Sequence, residues 1–120
     1  MNNHYALEFT ELPSAVLFEK DQQNTWGSWS DFIVIEKESN GTFNVLARKY
    51  ADELLDGPSE MVWIEIDSVN SINDPEKLLN AIHRCEMTLN VEIDWEYLLE
   101  SLSKLDADMS TSLSNLNDKK

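Results

Sequence analysis

Phe32–Ala47 reads FIVIEKESNGTFNVLA. Phe32 to Glu38 is rich in β-branched residues and suits a central strand. Asn40-Gly41 then sits between two strand-like runs, the strongest short hairpin signal. Thr42 to Ala47 returns as the second strand. Asn40-Gly41-Thr42 also matches a glycosylation sequon, read here as turn chemistry alone.

The same reasoning extends outward from this hairpin. Tyr5, Leu7 and Phe9 alternate with polar or small residues, the period of a half-buried strand, and Ala15 to Lys20 resumes it after Leu12-Pro13-Ser14. Asp21 to Ser30 reads as a polar loop holding Trp26 and Trp29. Arg48 to Asp56 suits a short helix ended by Gly57-Pro58. Glu60 to Asp67 (EMVWIEID) alternates again, with Val62, Ile64 and Ile66 on one side and Met61, Trp63, Glu65 and Asp67 on the other. Asp74 then caps a helix that carries Pro75 in its first turn and the apolar stripe Leu78, Leu79, Ile82, Cys85. A second helix starts at Asp94 and buries Leu98, Leu99, Leu102 and Leu105. The expected architecture is α+β: one domain over residues 1–105, with a mainly antiparallel sheet of about five strands and two C-terminal helices packed on one face. Residues 106–120, rich in Ser, Asn, Asp and Lys, read as a polar flexible tail.

With 120 residues, 42% of them hydrophobic and 27% charged, the chain has the material for one core. Its single cysteine, Cys85, permits no internal disulfide. Apolar runs reach only four residues, far below the roughly 20 of a membrane span. Met1 to Tyr5 lacks the basic and apolar regions of a secretion signal, so the expected location is the cytoplasm.

Charge is the most distinctive property. The net charge is −14 and the pI about 4.2, a balance that repels nucleic acid and anionic membrane and attracts cationic partners. It is unevenly placed. Residues 1–49 hold seven acids and four bases, whereas residues 50–118 hold sixteen acids and only Lys77, Arg84 and Lys104. Between Tyr50 and Asp74 stand Asp52, Glu53, Asp56, Glu60, Glu65, Asp67 and Asp74, with no base among them. A solvated surface accounts for many of these groups, but solubility needs only a modest net charge.

Catalytic chemistry finds little support. His4 and His83 are the only histidines, without the spacing of a zinc site, and no phosphate-cradling or nucleophile motif occurs. Glu65 and Asp67, read on one strand face, are ordinary polar-face residues before they are metal ligands. Cys85 on an apolar stripe reads as a buried, inert thiol. No enzyme activity, metal or cofactor is expected. Tryptophans remain: Trp26 and Trp29 in a polar loop and Trp63 beside Glu65 and Asp67 are either core residues or binding anchors. If exposed among carboxylates, they form a surface for a basic partner.

This profile, carried by Tyr50 to Asp74 and the acidic helical stretches Glu76 to Glu86 and Glu92 to Glu100, resembles the immunity proteins that bacteria make against their own nuclease toxins, of the contact-dependent growth-inhibition or colicin type. The resemblance implies a non-catalytic cytoplasmic inhibitor that blocks the active site or a neighbouring surface of one cationic toxin. The residues assigned to that contact are Asp52, Glu53, Asp56, Glu60, Trp63, Glu65, Asp67, Trp26 and Trp29. Alternative readings are a nucleic-acid mimic that inhibits a DNA-binding defence enzyme, and a secretion chaperone or adaptor.

Overall fold

The computed structural model describes residues 12–24, 27–53 and 60–118, with the backbone alone at 24, 27–28, 51–53, 60–64 and 117–118. Four strands, β1 (Ser14–Asn24), β2 (Gly27–Lys37), β3 (Phe43–Glu53) and β4 (Glu60–Ile72), are followed by three helices, α1 (Pro75–Leu89), α2 (Trp95–Leu105) and α3 (Ala107–Asp118). The strands form one antiparallel sheet in chain order.

The hairpin at its centre forms as the sequence predicts. Glu38 and Thr42 close the turn through Glu38 N to Thr42 O at 2.8 Å, leaving Ser39, Asn40 and Gly41 as a three-residue loop. Gly41 takes φ +88°, the left-handed residue that this loop length requires. Asn40 Oδ1 accepts from the Thr42 amide at 3.1 Å and its hydroxyl at 2.8 Å. Phe32 to Ile35 are all completely buried, because both faces of the sheet are covered at this point and alternation gives way to a continuous apolar run.

Towards the helices, Leu17, Phe18, Ile33, Ile35, Phe43, Val45, Ala47 and Ile72 meet Leu78, Leu79, Ile82, Cys85, Leu98, Leu102 and Leu113 in the main core. A β-bulge between Val16 and Phe18 sends both Leu17 and Phe18 to this side. On the opposite face Val16, Phe32 and Val34 form a second, smaller cluster with Tyr50 packed against it.

Capping fixes the helices. Asp74 accepts from the Lys77 amide at 2.9 Å, and Asn90 ends α1 in the left-handed conformation at φ 55°. Asp94 Oδ1 accepts from the Glu96 and Tyr97 amides at the start of α2. Asp106 does double duty at the α2–α3 junction: Oδ1 accepts from the Met109 amide at 2.9 Å, and Oδ2 pairs with Lys37 at 3.0 Å.

The α+β class and the antiparallel sheet hold; several details do not. Four strands stand among the described residues where about five were expected, and the strand expected at Tyr5, Leu7 and Phe9 lies outside them. Asp21–Asn24 and Gly27–Ser30 are the ends of β1 and β2, where a polar loop was expected. Arg48–Glu53 extends β3, where a short helix was expected, because Arg48–Ala51 pair with both neighbours and Asp52 and Glu53 with β4. The expected flexible tail after residue 105 is instead α3 over Ala107–Asp118, held by Leu113 in the core and by Ser110 Oγ donating to Leu99 O at 2.7 Å.

Candidate functional site

The register of β4 separates two residues that the sequence placed on one face. Arg48 lies opposite Glu65 and Ala47 opposite Asp67, so Ile66 is an extra residue in β4. This bulge reverses the alternation, leaving Glu65 on the sheet face opposite the helices and Asp67 on the helix side. Asp67 reaches α1, where Arg84 donates from Nε to Oδ2 at 2.7 Å and from Nη2 to Oδ1 at 2.9 Å, and the Ser68 amide donates to Oδ1 at 2.9 Å. The Arg84 guanidinium holds the Asp67 carboxyl below its usual range. Asp67 is therefore a structural tie, and the expected pairing of Glu65 with Asp67 on one surface is corrected.

Of the other predicted contact residues, Trp26 and Asp56 lie outside the described residues. Asp52, Glu53, Glu60 and Trp63 are placed by backbone register alone: Asp52 is opposite Met61, Glu53 opposite Glu60, and Trp63 opposite Tyr50. Trp29 is half-buried and engaged on the helix side of β2. Its Nε1 donates to Asp31 Oδ2 at 3.3 Å, and Lys49 Nζ stands 5.3 Å from its ring centroid. Asp31 itself is 3% exposed, accepts a second bond from Gln22 Nε2 at 3.4 Å, and has no partner for Oδ1 among the described residues. Lysines stand opposite it on both sides, Lys20 on β1 and Lys49 on β3, a cross-strand arrangement that offsets its buried charge.

The structure brings acidic residues distant in sequence to the walls of one groove. A groove of about 460 Å³ runs between β1 and the start of α2, lined by Glu19, Asp21, Glu92 and Asp94 with Phe18 and Tyr97. β1 is the outer strand among the described residues, so Glu19 and Asp21 lie at the sheet margin. Asp94 is held there by its capping bonds, and Asp21 Oδ1 accepts from Ser30 Oγ at 2.6 Å. Burial pushes the Glu19 carboxyl up. The side chain of Tyr97 is partly open to solvent at 38% exposure. Among the described residues no group of three or more His, Cys, Asp or Glu could hold a metal ion. None of Glu19, Asp21, Glu92, Asp94 or Tyr97 was among the expected contact residues. The local signals were Glu-x-Asp at 19–21 and at 92–94, separated by seventy residues of chain.

Cys85 is completely buried, and burial followed by the nearby Asp67 charge pushes its thiol up to about 11. No described helix is long and apolar enough to cross a membrane. Neither family models, nor curated proteins, nor solved structures give a significant match to this chain.

Proposed function

We propose that the chain is a non-catalytic acidic binding protein of the immunity type, which neutralises a cationic toxin, a nuclease domain in the first instance. The observation that carries this reading is the groove at the β1–α2 margin, lined by four acidic residues together with Phe18 and Tyr97. A nuclease presents lysine and arginine to hold phosphate, and a preformed acidic groove competes for those groups while the −14 field accelerates encounter. Tyr97 offers a ring to a guanidinium, and the flanking carboxylates its counter-charge.

The test compares the wild-type chain with a Glu19→Gln/Glu92→Gln variant as bait in a lysate of the native cell, at low and high salt. Neither residue caps a helix, so the fold is retained. The expected partner is basic, dissociates as salt rises, and has a toxic or nucleolytic activity that the wild type suppresses at lower concentration than the variant. A partner suppressed equally by both chains, with no salt dependence, would refute the groove as the binding surface.

A further inference from the structure

We infer that a second groove, between the end of β4 and α1, binds an oxyanion, either a carboxylate or a phosphate group; this does not rest on the proposed function. It encloses about 380 Å³, and its polar wall is Asn70, Ser71, Lys77, Asn80 and Arg84. Lys77 and Arg84, two of the three Lys and Arg residues in 50–118, line it. Lys77, Asn80 and Arg84 recur at i, i+3 and i+7 along α1, the spacing that aligns side chains on one helical face.

Each cation is already near a carboxylate yet keeps donor capacity for a ligand. Arg84 commits Nε and Nη2 to Asp67, which fixes the plane of the guanidinium and leaves Nη1, with no acceptor among the described residues, as a donor. Lys77 Nζ is held loosely, 3.5 Å from Asn73 Oδ1 and 3.8 Å from Asp74 Oδ2, with its side chain 67% exposed. It can turn towards the groove at little cost.

The facing strand is distorted at the same place. The register of β3 with β4 shifts between Phe43 and Val45, and Ser71 adopts φ 59°. Asn44 Oδ1 holds this conformation by accepting from the Ser71 amide at 3.2 Å. Glycine would occupy that φ without strain, whereas serine carries a side-chain cost. What serine adds is a hydroxyl in the wall of the groove. A bulge next to a binding site re-aims side chains in this way.

The test is a titration of the full ¹⁵N-labelled chain with inorganic phosphate and, separately, with acetate, at ionic strength held constant with sodium chloride. Saturable amide shifts confined to residues 69–72 and 77–84 are expected. Saturation by phosphate alone assigns a phosphate ligand, and saturation by both anions assigns a carboxylate-sized one. Lys77→Gln removes one charge-assisted contact and weakens binding about tenfold. Ser71→Gly raises Tm by relieving strain and also weakens binding. Shifts that fail to saturate, that spread equally to Lys104, or that saturate unchanged in either variant would overturn the assignment.

Discussion

Asp67→Asn tests whether Asp67 is a structural tie or a binding residue. The substitution keeps the side chain's volume and removes its charge, so the bidentate contact with Arg84 at 2.7 and 2.9 Å loses its ionic character. The Asp67 side chain is 16% exposed and that of Arg84 61%. Solvent therefore screens half of the pair, and the coupling falls near the upper end of the surface range, about 1 kcal/mol. For a domain of this length that corresponds to a fall in Tm of roughly 3–5 °C. The pH dependence fixes the sign. The folded-state carboxyl lies below its ordinary value of 3.8, so its contribution is fully present above that value and disappears as pH falls through the lower folded-state value. Urea denaturation of the wild type and variant at pH 7 and at pH 2–4 measures this directly, and a double-mutant cycle with Arg84→Gln isolates the pair. The gap between the two proteins should close in acid and shrink at high salt. A variant as stable as wild type at pH 7, or a deficit that persists unchanged into acid, would refute the ion-pair account.

Leu113→Ala should cost about 2–5 kcal/mol, since Leu113 is completely buried in the main core; thermal unfolding would check it, and a loss below 1 kcal/mol would mean that α3 is dispensable. Cys85 should resist alkylation in the native protein at pH 7, because its thiol is buried and pushed up to about 11, and should react at once in denaturant; labelling followed by mass measurement distinguishes the two. Gly41→Ala should destabilise by about 1 kcal/mol, although nothing lies within 4 Å of an added Cβ, because φ +88° penalises any side chain; chemical denaturation provides the measurement.

What the sequence made legible follows the range of the interactions involved. The Phe43 hairpin, the Asp74 and Asp94 caps and the stripe from Leu78 to Cys85 rest on residues a few positions apart, and all formed as read. The Ile66 bulge was invisible, since a strict period of two across Glu60–Asp67 assumes a register that only pairing with β3 establishes. Arg48–Glu53 failed for a related reason: pairing with β2 as far as Ala51 and with β4 throughout decides it, and no local pattern announces that pairing. α3 carried a usable signal that composition masked. Met109, Leu113 and Leu116 recur at i, i+4 and i+7 behind a capping Asp106, and all three pack on the main core.

The same distinction governs the reading of charge. Sixteen acids in residues 50–118 suggest a single reservoir for a basic partner, but many already have work within the fold. Asp74, Asp94 and Asp106 cap helices; Asp67 ties β4 to α1; Glu86 accepts from the Ile93 amide at 2.9 Å and meets His83 Nδ1 at 3.2 Å. Such groups contribute to the long-range field and hence to encounter rates, but reversing them would report on stability before it reported on binding. Glu65, Glu76, Glu92, Glu96, Glu100 and Asp108 are exposed instead. Glu92, Glu96 and Glu100 are exposed at and beyond the start of α2, and Glu19 stands across the groove from Glu92. A partner drawn to Glu19, Glu92, Glu96 and Glu100 would meet the β1–α2 margin. The distinction is measurable, because substitutions at Glu19 and Glu92 should alter association with the fold intact, whereas the Asp67 substitution should alter the fold's stability first.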